Sequence, residues 1–448
     1  MSEVPRRTTQ AANMKPVDKN HKELEKELKQ RDLVHQVTAP VVFEEMVSGS
    51  MSAYVGFDPT ADSLHVGHLL PILTMRRLQR YGVRPIVVAG GGTGMVGDPS
   101  GRSTERNLLS PDELAYNSSA IESQLVKMLD FDGVDEKRSA IMLDNSTWLS
   151  KVSLLQFLRD VGKHFSISQM VAKDSVRTRL EQREEGISFT EFSYMLLQAY
   201  DYLWLYDNYS CKLQIGASDQ WGNITMGIEL IRKLRSQECW GLTIPLLTQA
   251  DGNKFGKTKD GALWLDRSKT SPFQLFQYFY NCDDSQVGKL LRYFSFRSTD
   301  ELEDLIANVE VAPEKRVAQQ ALAYEIVELV HGSTEAQLAK RISELLFSPD
   351  ISTLSESELL DAFGYAPSTT MAREALVGGR INVLELFAKS TLEHSISASR
   401  RTINQGGAYI NNTKRTNPDE VISPKELLCD RYLLLRKGKK TLNLITFE

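Results

Sequence analysis

The chain has 448 residues, room for several domains, and its 41% hydrophobic and 25% charged content is that of a globular protein and not of a disordered or fibrous one. No run approaches ~18 consecutive apolar residues, so no membrane span is expected; Cys211, Cys239, Cys282 and Cys429 lie far apart with no C-x-x-C, which argues against a zinc site or disulfide frame and for a reducing compartment. The net charge of −5 is uneven: residues 380–448 carry 12 Lys or Arg against 7 Asp or Glu, a net +5, leaving −10 on residues 1–379. A basic tail on an acidic body points to a nucleic-acid partner, unless it is only a solvated surface.

Residues 1–20 are polar and expected to be disordered. They lack the apolar core of a secretory signal; Arg6 and Arg7 among Ser and Thr leave a transit peptide open, with Glu3 against it. His21 to Val34 has helical periodicity through Leu24, Leu28 and Leu33. The stretch 53–106 then sets the organisation. An apolar run from Ala53 to Phe57 reads as a strand stopped by Asp58-Pro59, and His65-Val66-Gly67-His68 precedes apolar residues at helical spacing up to Leu78. Pro71 is tolerated only in a first turn, which places His68 at the N-terminus of that helix. A second apolar run, Pro85 to Ala89, completes β-α-β. A strand feeding a helix with unpaired amides is an anion site, and two imidazoles there can donate to phosphate oxygens without adding fixed charge. The stretch reads as a nucleotide site.

Residues 111–180 look mostly helical, broken by an apolar run from Ala140 to Leu143; Thr190 to Tyr206 is a long apolar-aromatic helix, Leu213 to Gly216 a strand, and Gly222 to Leu234 a helix. Pro245 to Lys259 is turn-rich, residues 272–346 read as helices, and 350–379 looks like a linker. The last segment mixes helix and strand, with a helix near Ser397 to Gln405 and strands at Ala408 to Ile410 and Tyr432 to Leu435.

Several constellations carry chemistry. Gly92, Gly94 and Gly97 spell G-x-G-x-x-G but run into Asp98-Pro99-Ser100-Gly101, which is turn chemistry where a dinucleotide fingerprint should open a helix. Asp98 is a candidate to hold an ammonium group, or simply an Asp-Pro turn residue. Tyr194, Gln198 and Asp201 fall at i, i+4 and i+7, one face of a helix that is otherwise apolar. Such a polar stripe needs partners or a ligand if it is buried, and nothing if it is exposed. Asp219-Gln220 sits between a strand and a helix, where ligands bind in open α/β sheets. Lys254-Phe255-Gly256-Lys257-Thr258 suits a mobile loop closing on polyphosphate, although alone it is only a basic loop.

Together these residues resemble the class I aminoacyl-tRNA synthetases, whose two signatures are usually written HIGH and KMSKS; here they stand as HVGH at 65–68 and KFGKT at 254–258. The finer similarity is to the bacterial-type tyrosyl-tRNA synthetases: YVGFDPTADSLHVGH, GDPSG, SFTEFSYMLLQAYD, SDQWGN and KFGKT follow in that family's order, and the likeness covers everything after about residue 30. The resemblance implies activation of tyrosine by ATP, with Mg2+ carried on the nucleotide, and then transfer of the tyrosyl group to the tRNA 3′ end. It implies that Tyr54 and Asp201 bind the substrate phenol, that Asp98, Tyr194 and Gln198 hold the α-ammonium, and that Gln220 lies near the carboxylate. Thr60, His65 and His68 would contact phosphates, with Gly56, Asp58 and Gly67 beside the nucleotide and Asp219 on the ribose. Lys254, Lys257 and Thr258 would hold the departing pyrophosphate, and Arg102 and Arg106 would sit on a second loop. Val55, Arg102 and Ala217 stand where relatives often have Cys, Lys and Gly, so a side-chain contact from Val55 is absent and the reach of Arg102 differs.

The expected fold is α/β. An N-terminal extension covers 1–30, a Rossmann-type parallel-sheet catalytic domain 31–265 and an all-helical anticodon-side domain 266–349; a linker, 350–379, leads to a small α+β RNA-binding domain of ribosomal-protein type over 380–448. The resemblance further implies a cytoplasmic homodimer, a mitochondrial location remaining open, with no resident metal and with tRNA held by the helical and C-terminal domains. Two alternatives stay open: tryptophanyl-tRNA synthetase, which Tyr54 and Asp201 disfavour because indole has one donor and no acceptor, and a synthetase-derived RNA-binding or intron-splicing protein.

Overall fold

The computed structural model describes residues 20–49, 51–100, 109–132, 137–181, 187–248, 255–258, 261–346, 348–364, 366–376, 381–438 and 441–448. Six strands form the principal sheet: β1 Gln36–Val37, β2 Ser52–Phe57, β3 Arg84–Ala89, β4 Ile141–Asp144, β5 Cys211–Ala217 and β6 Trp240–Ile244. Their order is β1-β6-β5-β2-β3-β4, and every neighbouring pair is parallel except β1 with β6 at the edge. The central strands are nearly continuous apolar runs because helices cover both faces, which a parallel sheet requires. The order runs outward from β2 to β4 on one side and resumes from β5 on the other, so the crevice beyond β2 and β5 is the switch point where ligands bind in such sheets.

The β-α-β unit read from the sequence is present. A 3-10 turn, Val66–His68, enters the helix Leu69–Arg80, with Pro71 in its first turn, and the helix returns the chain to β3. The long helix extends beyond its expected bounds, Phe189–Tyr209, because Ser188 caps it and Ser210 ends it in a left-handed conformation. It packs with the helix Trp221–Arg235 in a core holding Tyr54, Tyr202, Met226 and Leu230. Gly92 precedes a short 3-10 turn, Thr93–Met95, that contains Gly94, and the pair opens no α-helix.

The region read as one helical domain divides. Residues Met1–Thr270 with Asp283–Ala318 form one unit, and Ser271–Cys282 with Gln319–Glu448 form the other. The helix Asp284–Phe294 belongs to the first because Arg31 and Arg77, both buried there, donate to the carbonyl of Ser295 just past its end, at 2.8 and 2.5 Å. Within the first unit a two-stranded ribbon pairs β7 Lys257–Thr258 with β8 Gly261–Ala262.

In the second unit the stretch 350–379, expected as a linker, instead carries the helix Glu356–Phe363 and a strand, β9 Ser368–Met371. That strand pairs in parallel with the last strand of a sheet built from β10 Ala408–Ile410, β11 Thr413–Arg415, β12 Tyr432–Lys437 and β13 Thr441–Phe447, in the order β11-β10-β12-β13-β9. Leu359 and Phe363 of the helix are buried with Leu434 and Leu444 of the sheet, an apolar contact that holds the stretch in place. Among the described residues no helix is long and apolar enough to cross a membrane.

Candidate active site

A cavity of about 570 Å³ opens at the carboxyl ends of β2, β5 and β6. The long helix supplies one wall and the turn Val66–His68 another. Thirteen of the candidate site residues line it: Tyr54, Gly56, Asp58, Thr60, His65, Gly67, His68, Asp98, Tyr194, Gln198, Asp201, Asp219 and Gln220. Arg102, Arg106 and Lys254 lie outside the described residues, as do the side chains of Lys257 and Thr258.

At one end of the cavity Asp201 is buried, and its two carboxylate oxygens accept from Trp148 Nε1 at 2.7 Å and Asn145 Nδ2 at 2.9 Å. Burial pushes this carboxyl up to about 7, the two donors opposing the rise and the charges of Asp58 and Asp144 adding to it. Tyr54, also buried, carries a hydroxyl that finds no partner among the described residues. Desolvation, with Asp201 adding, holds its phenol well above the ordinary range, so it stays a neutral donor. The pair can therefore present one acceptor that is already oriented and one donor that is not yet used.

The polar stripe of the long helix faces inward. Tyr194 Oη donates toward both Asp58 oxygens at 3.3 Å, which holds the phenol against that carboxylate. Asn223 Nδ2 donates to Gln198 Oε1 at 2.9 Å, Gln198 Nε2 to Gln220 Oε1 at 3.2 Å, and Gln220 Nε2 to Asp98 Oδ2 at 2.6 Å. Asp98 Oδ1 accepts the N–H of Ser100 at 2.9 Å, the local bond of an Asx turn. Two carboxylates, a phenol oxygen and a carboxamide oxygen thus gather on one wall, an arrangement suited to a primary ammonium group.

The histidine turn is organised by its own backbone. His65 Nδ1 accepts the N–H of Gly67 and His68 Nδ1 accepts the N–H of His65, each at 3.1 Å. An Nδ1 that accepts cannot carry the proton, so each ring keeps its N–H at Nε2. The rings stack at 3.9 Å, and burial, with His65 beside it, depresses His68 well below the ordinary imidazole range. Gly67 is required: a Cβ there would stand 2.8 Å from the His65 ring. The result is a neutral pair able to donate to an anionic oxygen.

Sequence reasoning missed Thr93, Asn145, Trp148, Gln214 and Asn223. Asn145 also donates to Thr93 Oγ1 at 3.0 Å, and Thr93 in turn donates to Asp58 Oδ1 at 3.1 Å, which ties the two ends of the cavity together. Gln214 stands opposite Tyr54 in the parallel register and is 2% exposed, its Oε1 without a partner among the described residues. The available signal was the N-x-x-W that follows the apolar run at 140–143 and the lone Gln inside a strand.

The basic tail is less open than its composition implies. Arg415 is paired with Glu420 and Glu426, and Arg436 is buried with its guanidinium 4.1 Å from the Tyr409 ring. Arg400, Arg401 and Lys414 are exposed.

The family described as tRNA synthetases class I (W and Y) matches residues 46–348, and the tyrosine–tRNA ligase SYY-like C-terminal domain matches residues 358–445. The tyrosine–tRNA ligase of Roseiflexus castenholzii is 49% identical over 395 residues, 88% of this chain and 92% of that protein. That of Opitutus terrae is 48% identical over 402 residues, 90% of this chain and 94% of its own length. The solved structure of a C-terminally truncated mitochondrial tyrosyl-tRNA synthetase from Aspergillus nidulans is similar at a TM-score of 0.64 and 31% identity, covering 73% of this chain and 97% of that one.

Proposed function

The chain belongs to the class I tRNA synthetases of the tryptophan and tyrosine group and is a tyrosine–tRNA ligase, and we propose that it works through the residues gathered in this cavity. The observation that carries the assignment of roles is the buried pair at its end: an oriented Asp201 carboxylate beside an unused Tyr54 hydroxyl. A phenol satisfies both at once, donating its O–H to Asp201 and accepting from Tyr54; indole can satisfy only the first. The ammonium group meets Asp98, Tyr194 and Gln198, which sets the carboxylate near Gln220.

The tyrosine carboxylate attacks the α-phosphorus of MgATP, forming tyrosyl-adenylate as pyrophosphate departs; the ribose hydroxyl of the tRNA end then attacks the tyrosyl carbonyl carbon, and AMP leaves as the hydroxyl proton is released. The carboxylate is ionised at neutral pH, so the first step needs no general base. Catalysis rests on positioning and on stabilising charge at phosphorus. His65 and His68 donate through Nε2, with Thr60, Gly56, Asp58 and Gly67 beside the nucleotide and Asp219 on its ribose. Lys254, Lys257 and Thr258, with Arg102 and Arg106, meet the pyrophosphate, and magnesium enters with the nucleotide.

Two further parts of the reading concern partners. Leu154, Leu155, Leu158, Ile167 and Phe189 are exposed, Leu155 at 80% and Phe189 at 76%, and so much uncovered apolar surface supports a homodimer face. Exposed Arg400, Arg401 and Lys414 support tRNA binding by the last domain, in a reducing, cytoplasmic setting that suits four free thiols. Isotope exchange between pyrophosphate and ATP tests the central claim: it should require tyrosine. Exchange with tryptophan alone would overturn the specificity, and none with any amino acid would overturn the activity.

A further inference from the structure

The histidine turn is closed by a segment to which the mechanism has given no task, residues 261–270. The two run antiparallel: Val66 N–H donates to the Leu263 carbonyl at 3.0 Å and Leu265 N–H to the Leu64 carbonyl at 2.8 Å. This register sets Trp264 directly opposite His65. Their ring centroids are 6.3 Å apart at an interplanar angle of 59°, within the range of an aromatic pair. Gly256, whose carbonyl accepts the Leu263 N–H at 2.7 Å, packs on the same turn: at φ +80° it has room only for hydrogen, since a Cβ would stand 2.2 Å from Val66 Cγ2.

Trp264 is itself held. Its backbone N–H donates to Thr270 Oγ1 at 3.0 Å, which fixes the chain at this position, and the Lys269 ammonium lies 5.1 Å from its ring centroid. Lys269 is in turn paired with Asp62, three residues before His65 in the chain. Chain and side chains thus form a closed loop, Asp62 to Lys269 to Trp264 to His65. The His65 ring has His68 stacked at 3.9 Å and Trp264 at 6.3 Å. With Nδ1 committed to the Gly67 N–H, the remaining freedom of the ring is a small rotation that would swing Nε2 away from its target.

We propose that Trp264, steadied by Lys269 and Asp62, is a positioning residue that fixes the His65 ring so that its Nε2–H meets the phosphate in the transition state. The inference rests on the reading of His65 as a phosphate donor. It acts on the chemical step: the tyrosine pocket is untouched, so kcat for adenylation should move and KM for tyrosine should not.

The test uses the full chain and tyrosine-dependent pyrophosphate exchange. Trp264→Leu should lower kcat roughly 2- to 12-fold, the scale of one aromatic contact, with tyrosine KM unchanged. Trp264→Phe should restore most of the rate, and Lys269→Ala should show a smaller loss in the same direction. The decisive measurement is the double mutant. If Trp264 acts through His65, Trp264→Leu should cost almost nothing further in a His65→Ala background. A loss that is fully additive with His65→Ala, a rise in tyrosine KM, or equal kcat in wild type and Trp264→Leu would each overturn the inference while leaving the assignment of function intact. A His65→Ala enzyme with wild-type kcat would overturn both the His65 reading and this inference; absence of exchange in the wild type would overturn the function itself.

Discussion

Replacing Tyr54 by Phe removes one oxygen and leaves the shape of the pocket. The ring still packs 5.3 Å from Tyr202, and the lost hydroxyl bonds nothing among the described residues. Stability should therefore hold within about 1 kcal/mol, against the 1–3 kcal/mol typical when a bonded buried group is deleted. Function should respond differently. With tyrosine bound, the hydroxyl makes one neutral hydrogen bond worth roughly 0.5–1.5 kcal/mol, so kcat/KM for tyrosine should fall about 2- to 12-fold. Phenylalanine offers that hydroxyl no partner and excludes water from it, a penalty the variant no longer carries. The tyrosine-to-phenylalanine ratio should then narrow on the order of 10- to 1,000-fold, the loss of roughly 0.5–1.5 kcal/mol adding to a relief of about 1–3 kcal/mol. Pyrophosphate exchange with each amino acid gives the ratio, and urea unfolding gives the stability. An unchanged ratio would remove Tyr54 from the pocket, and a stability loss above about 2 kcal/mol would mean the hydroxyl has a structural partner instead.

Asp201 should impose a pH dependence. Burial raises its carboxyl to about 7, so the stability associated with its proton is full below the unfolded value near ~3.9 and is lost as pH rises through 7. Accepting a phenol O–H favours the ionised form, so KM for tyrosine should rise as pH falls below 7 while KM for phenylalanine stays level; parallel profiles for the two would contradict this. Arg400→Glu with Arg401→Glu should leave pyrophosphate exchange intact, raise KM for tRNA and flatten its salt dependence by about one unit of log–log slope per lost phosphate contact, and an unaltered tRNA KM would remove this surface from tRNA binding. Leu155→Glu should shift sedimentation from dimer to monomer, and a dimer of undiminished stability would place the interface elsewhere.

Much of the cavity's lining was legible from residue order alone because it depends on local geometry. A strand, a turn, an early Pro and a pair of histidines define the histidine turn within 20 residues or so, and periods of 3.6 and 2 mark the flanking elements. The same holds for Tyr194, Gln198 and Asp201, whose common face follows from helical spacing. Only the tertiary structure supplied what gives these groups their character. The donors that orient Asp201 are 53 and 56 positions away in the chain, and no periodicity links Asn145 and Trp148 to that helix. Gln214 joins Tyr54 through strand register. The expected linker became a strand because β13 offered an edge and Leu359 and Phe363 an apolar seat. Arg415 and Arg436, basic in the sequence, are taken up by Glu420, Glu426 and Tyr409. Composition counts charges, but burial and pairing decide which of them remain available to a partner, and these depend on contacts between segments far apart in the chain.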